Sequence, residues 1–458
     1  MRAAAASRGS RRLLTVKPAS DWPLPVKHLL YVWALTLFDF HFFLANVVAQ
    51  PFVYLLHFGY PLLFLVLALK APAVIAREKP WVWYPPLLII VLIAGMTLPF
   101  AANKNLAKVS FLFLLNYYAL ALATSVYIRN ARQAMPIVIM LFAQFIWYAI
   151  WAGAKGLVPW HPTLANYDGF AGLMVHGAGL CYWFAVAARG RKTKIFLYAL
   201  AAYCVFGVVA SFARAAFLSL IVVVAWIWMR SPRKLLTGAG IIAGGIVAAV
   251  GAMLIFEEGF FLNEIMSAFE EGTEEGTGAQ RWEVWKVGFK VWMTHPIFGV
   301  GAGNFGAFAA GYFRFGELPA FPNPNMLYGF NLHNSYMQIL SEFGLIGILA
   351  FGWALWDFQK KNREIRTAEA GARWAQSHPR WNLRFLALGL EAANLGNVLC
   401  AAFYATLFMP WFFTIWAANR MLWAVTRPGP GEVRPPRRSA ARHPQSLPRP
   451  STEGPPVD

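Results

Sequence analysis

The chain is short of charge. Only 13% of its 458 residues are Asp, Glu, Lys or Arg, against 58% hydrophobic. Soluble domains carry about a quarter charged residues. A chain this poor in charge cannot cover a water-facing surface of its size, so lipid must be the solvent for much of it. Acidic residues are the scarcer sign, with 21 Asp and Glu against 40 Lys and Arg, a net charge of +19. That excess invites a nucleic-acid reading. The cations, however, fall in short clusters between apolar runs, which is a topology signal rather than a binding patch, and nucleic acid is excluded as a partner. Cysteine is scarce as well. Cys181, Cys204 and Cys400 lie in apolar stretches, with no CxxC and no Cys/His pair at ligand spacing. Neither a disulfide framework nor a zinc site is credible, and no metal or cofactor is expected.

What the chain has in abundance is long apolar runs, at a mean hydropathy of +0.48. A spanning helix needs about 20 mostly apolar residues. Runs near 29–46, 52–69, 85–100, 106–127, 134–153, 168–187, 195–211, 213–229, 236–256, 336–356, 383–402 and 404–424 meet that need. The expected fold class is all-α: a polytopic integral membrane protein with about 12 transmembrane helices and one large outer loop containing short helices. Residues 1–28 form a basic N-terminus, and the first run is read as a retained span rather than a cleaved signal. Residues 29–256 hold spans 1–9, 257–335 the outer loop and 336–426 spans 10–12. The segment 427–458, rich in Pro, Arg and Ser without apolar periodicity, is expected to be a disordered tail.

Charge sets the orientation. The connections holding Lys70, Arg77 and Lys79, then Arg129 and Arg132, then Arg189, Arg191, Lys192 and Lys194 fall on alternate sides of the spans. So do those holding Arg230, Arg233 and Lys234, and Lys360, Lys361, Arg363, Arg366, Arg373 and Arg380. All land on the side of the basic N-terminus, which the positive-inside rule makes cytoplasmic, along with the C-terminus. The long connection after Glu257 lies on the opposite side and carries an acidic cluster at Glu270, Glu271, Glu274 and Glu275.

Topology then filters the candidates for chemistry. Of nine histidines, His28, His378 and His443 fall on the cytoplasmic side and His41, His57 and His176 in or near spans. His161, His295 and His333 remain outside, with Arg214, Arg281 and Arg314 as the arginines there. Arg214 ends Ser211-Phe-Ala-Arg214 at a tight turn between two spans. An arginine near membrane depth costs roughly 2.5–3.5 kcal/mol on insertion scales, so it either has a partner or snorkels to water. Arg281 opens a stretch with Trp282, Trp285, Phe289 and Trp292 at helical spacing. This is read as an amphipathic helix at the interface, whose Arg281 either does chemistry or faces headgroups. Gly299, Gly301 and Gly303 lead to Asn304 and Phe305, and form either an anion-cradling nest or a structural turn. His333-Asn334-Ser335-Tyr336 stands at the mouth of the next span, where His333 either caps the helix or acts. Inside the spans, Asp39, His41 and Glu391 are secondary candidates. Glu391 is read as pairing with a cation or lining a cavity, against a hydrogen-bonded neutral acid.

Arginines offer fixed charge and bidentate geometry suited to a pyrophosphate. A histidine near neutral pKa can take a proton from an attacking hydroxyl. Together they fit a metal-independent transfer from a pyrophosphate-linked donor.

The motifs resemble those of the O-antigen ligase and polymerase superfamily of membrane glycosyltransferases. The resemblance rests on S-x-x-R at Ser211 to Arg214, R-x-x-x-W at Arg281 to Trp285 and P-x-x-G-x-G-x-G-N-F from Pro296 to Phe305. H-N-x-Y at His333 to Tyr336 and E-x-G-x-x-G at Glu342 to Gly347 complete it. The O-antigen ligase is the closest likeness within it. It implies a GT-C-like fold in a Gram-negative inner membrane with a periplasmic site. The implied reaction is inverting transfer of glycan from undecaprenyl pyrophosphate to a sugar hydroxyl of the lipid A–core, in lipopolysaccharide biosynthesis. By the same likeness Arg214 and Arg281 would grip the pyrophosphate and His333 would activate the acceptor. Gly301, Gly303, Asn304, Asn334 and Tyr336 would support them. A polymerase, a related oligosaccharyltransferase and a lipid-linked glycan transporter are the rival readings.

Overall fold

The computed structural model describes residues 84–127, 167–211, 213–255, 276–312, 318–319, 321, 323–327, 331–378, 380–404 and 410–426, with isolated positions between 138 and 146. The expected spans at 29–46 and 52–69, most of 134–153, the acidic cluster, Asp39, His41, His57, His161, Arg314 and both termini lie outside the described residues.

Helices account for the described chain: α1 (Pro85–Thr97), α2 (Lys104–Tyr127), α3 (Tyr167–Ala187), α4 (Arg191–Ala210), α5 (Arg214–Arg230) and α6 (Lys234–Ile255) come first. They are followed by α7 (Gly276–Thr294), α8 (Phe305–Ala309), α9 (Ser335–Ile365), α10 (Ala368–Ser377), α11 (Leu383–Cys400) and α12 (Pro410–Thr426). No strand occurs among the described residues. Among them α3, α4, α6, α9 and α11 are long and apolar enough to cross a membrane, consistent with a membrane protein. The runs read at 85–100, 106–127, 168–187, 195–211, 213–229 and 236–256 coincide with α1 to α6, and those at 336–356, 383–402 and 404–424 with α9, α11 and α12.

Local chemistry sets the helix starts. Pro85 and Pro86 open α1, where a missing N–H costs nothing. Asn334 caps α9 by accepting from the Tyr336 and Met337 N–H groups, and Thr367 and Asn382 do the same for α10 and α11. The centre of the bundle is α3, apolar on every side and buried along nearly its whole length, whereas α6 is exposed to the surroundings. α3 packs closely on α11 because glycines face it: a Cβ at Gly179 would lie 2.7 Å from that of Ala392.

One helix is not continuous. At Gly344, with φ 66° and ψ −162°, α9 breaks, in a region open essentially to glycine alone. The backbone groups freed on either side are taken up by the glycine loop. Val300 and Gly301 donate to the Ser341 and Glu342 carbonyls at 3.0 and 2.9 Å. Leu345 and Ile346 donate to Pro296 and Ile297 at 2.8 and 3.3 Å. Without these partners the break would leave buried polar groups unpaired. The loop is tied on its far side too, where the Asn304 side chain accepts from the Asn103 N–H at 2.8 Å.

Candidate active site

α4 ends where the Ser211 hydroxyl turns back to donate to the Val208 carbonyl at 2.7 Å, while its oxygen accepts from the Ala213 N–H at 3.3 Å. That double use of Ser211 makes the turn and sets Arg214 as the first residue of α5. The start of a helix is its positive end. The third residue of α5, Ala216, donates its N–H to the Tyr404 hydroxyl at 3.0 Å.

Tyr404 joins this turn to the start of α9. Its carbonyl accepts from the Ser335 hydroxyl at 2.8 Å, and the Ser335 N–H donates to Ala401 at 2.7 Å. Next to Ser335 stands the Asn334 cap, preceded by His333 at φ 47°. A left-handed non-glycine residue is uncommon and is held here by the cap that follows and by Leu332 before it. Leu332 is buried, packs on Gly288 of α7 and accepts at its carbonyl from the Trp285 indole at 2.9 Å. α7 is thereby docked beside His333, with Arg281 one turn earlier on the same helix. Burial, and then the Arg281 charge, hold the His333 pKa below its ordinary value. The imidazole is therefore neutral at neutral pH, the form that accepts a proton.

The structure thus gathers Arg214, Arg281 and His333, each half-buried, at one end of the bundle: Arg214 opens α5, His333 stands just before α9, and Arg281 lies in the second turn of α7. The supporting residues divide. Tyr336 sends its hydroxyl to the Val398 carbonyl at 2.7 Å, closing the end of α11. The glycine run does cradle a carboxyl group, and that group belongs to the chain. The Glu342 carboxylate accepts from the Gly303 and Phe305 N–H groups at 2.9 and 3.3 Å, and from the Gln338 amide at 3.3 Å. Gly301 and Gly303 therefore lock the loop onto α9, which in turn fixes His333, while Asn304 ties the same loop to Asn103. Glu391 is not at this end. It pairs with Arg366 at 2.8 Å and faces Arg230 at 4.0 Å, roughly 15 Å along α11 from Ala401 at ~1.5 Å per residue.

Sequence reasoning missed Tyr404. It opens the apolar run at 404–424 with no motif around it, and its partner Ala216 is 188 residues away. Only the fold brings them together. Glu342 was legible as part of E-x-G-x-x-G, but its partners in the loop were not.

Residues 199–352 match the family model described as O-antigen ligase. That stretch runs from within α4 past the break in α9, and holds Arg214, Arg281, the glycine run and His333. No curated protein matches the chain.

Proposed function

We propose that this membrane protein, which carries an O-antigen ligase family domain at residues 199–352, is the ligase itself. It transfers polysaccharide from undecaprenyl pyrophosphate to a sugar hydroxyl of the lipid A–core. The bundle end bearing His333 is periplasmic, the cation-rich end and both termini are cytoplasmic, and the membrane is a Gram-negative inner membrane. About twelve spans and the outer loop at 257–335 complete this reading.

In the reaction the acceptor hydroxyl gives its proton to the neutral His333 imidazole as its oxygen bonds to the anomeric carbon. The bond from that carbon to the diphosphate oxygen breaks, and its electron pair leaves with undecaprenyl diphosphate. Attack opposite the leaving group inverts the configuration. Arg214 and Arg281 stabilise the charge growing on the diphosphate, helped by the positive end of α5. Their fixed charge serves without a metal ion. What supports the reading is the gathering of Arg214, Arg281 and His333 at one end of the bundle, the neutral histidine beside a permanent cation.

The test is transfer by purified protein given carrier-linked glycan and rough lipopolysaccharide in EDTA, with products resolved on a gel. Glycan reaching the lipid A–core with wild type, and lost in both His333→Ala and Arg214→Ala, is the expected result. Longer carrier-linked chains would make the protein a polymerase. No product from intact donor and acceptor would leave the transporter reading.

A further inference from the structure

The end of the bundle remote from His333 carries a cluster of charge that the reaction does not use. α5 closes on Arg230, α9 closes on Arg363 and Arg366, and α11 opens with Arg384 in its first turn. Two of these guanidinium groups, Arg366 and Arg230, face the Glu391 carboxylate, and Arg363 and Arg384 lie close enough to Arg366 for their charge to act on it. Glu391, itself buried, accepts on one oxygen from Arg366 at 2.8 Å and from the Asn362 amide at 3.1 Å, and faces Arg230 at 4.0 Å with the other. Burial lowers the Arg366 pKa; Glu391 opposes this, while Arg230, Arg363 and Arg384 add to it. The cluster thus keeps like charges close after Glu391 has cancelled one of them. Arg384 compounds the cost, because a cation in the first turn of a helix opposes the helix dipole. Such an arrangement calls for an anion.

The surroundings say what kind of anion. Arg230, its side chain 52% exposed, lies over the Trp226 ring at 5.6 Å, and Arg363 and Arg384 are exposed. α5 leads to this point with an exposed apolar stripe, Leu218, Ile221, Val222 and Met229, that only lipid would wet. A ligand at the end of such a stripe has apolar chains along the helix and its charge at the boundary. Guanidinium groups suit phosphate oxygens by their forked geometry.

We propose that Arg230, Arg363, Arg366 and Arg384 form a binding site for the phosphate of an anionic phospholipid headgroup, with Glu391 and Asn362 holding Arg366 in place. The site is independent of the transferase reading. Basic clusters between membrane helices gain about 1 kcal/mol per cation from anionic lipid, or about fivefold in binding.

The test uses the full chain in neutral detergent, with native mass spectrometry of bound lipid. Dioleoylphosphatidylglycerol is titrated against dioleoylphosphatidylcholine, for wild type and for the Arg230→Gln/Arg384→Gln double variant. Both positions are exposed, and size-exclusion behaviour checks the fold. The expected result is preferential retention of phosphatidylglycerol by wild type, weakened by more than tenfold in the double variant. On wild type alone, the preference should fall as salt rises. Equal retention of the two lipids, insensitivity to salt, or an unchanged preference in the folded double variant would overturn the proposal. Displacement of the lipid by millimolar inorganic phosphate would overturn the lipid assignment and leave a site for the free anion.

Discussion

Gly344 is the residue on which the position of the glycine loop turns, and replacing it with alanine gives a calculable penalty. Its φ of 66° and ψ of −162° fall where a side chain costs about 1–3 kcal/mol in backbone strain alone. A Cβ there would also stand 2.3 Å from the Ile297 carbonyl oxygen and 2.6 Å from the Phe298 nitrogen, both backbone atoms that cannot swing aside. Relief requires the loop to lift from α9, with loss of the bonds from Leu345 and Ile346, each worth ~0.5–1.5 kcal/mol net. The sum is about 2–6 kcal/mol, or roughly 4–12 °C at about 2 °C per kcal/mol. Gly352, in the same helix, is the control: a Cβ there meets nothing within 4 Å, and alanine should gain up to ~1 kcal/mol of helix propensity. Cys181, Cys204 and Cys400 are buried thiols in no disulfide, so a thiol-reactive dye reports unfolding in a thermal ramp. Gly344→Ala should melt well below wild type and Gly352→Ala at or above it. If the two variants melt together, the break in α9 is not held by the loop as described.

Three further outcomes follow from the site. The proposed base His333 can take a proton only when neutral, so activity should be full above its lowered pKa and lost as pH falls through it. Removing the second cause in Arg281→Gln should raise that pKa and move the acid limb of kcat/KM to higher pH, whatever happens to its height; an unmoved limb would separate the two residues. Tyr404→Phe leaves the buried Ala216 N–H without its hydroxyl partner, at ~1–3 kcal/mol in stability. It should also lower kcat more than it raises KM in a transfer assay, because α5 and α9 lose a common tie. Glu391→Gln should cost ~1.5–3 kcal/mol in thermal stability by losing the charge on its bond to Arg366, yet leave kcat unchanged, since the pair lies away from His333.

The apolar runs were legible because each reports its own environment residue by residue. The candidates were legible by elimination, since few titratable groups remain once charge has oriented the spans. Partners distant in sequence were not. The run at 336–356 reads as one span, yet α9 continues to Ile365, because Asp357 pairs with Lys361 within the helix and with Arg420 of α12. Those charges mark the end of a lipid-facing run without ending the helix. The break at Gly344 was hidden for the opposite reason. Its backbone groups are satisfied by a loop some forty residues earlier, so nothing in the local pattern records that they leave the helix. Glu391 stood out as an ionisable residue inside an apolar run, but periodicity does not reveal which end of the bundle its cations occupy.

The glycine run and Glu342 are easily taken for ligand-binding parts, since a row of free amides is what an anion seeks. Here those amides are already engaged by Glu342, and a phosphate would have to displace a carboxylate held by three donors. Their effect on chemistry is therefore indirect and runs through α9. The loop clamps the helix on both sides of its break, and the clamped segment begins at Ser335, bound to Ala401 and Tyr404. His333 precedes that anchor by two residues, and Leu332 ties it to α7, the helix that carries Arg281. Arg214 reaches the same anchor through Ala216 and Tyr404. Arg214, Arg281 and His333 are thus held by one connected set of contacts, and a change in the glycine loop should disturb all three at once.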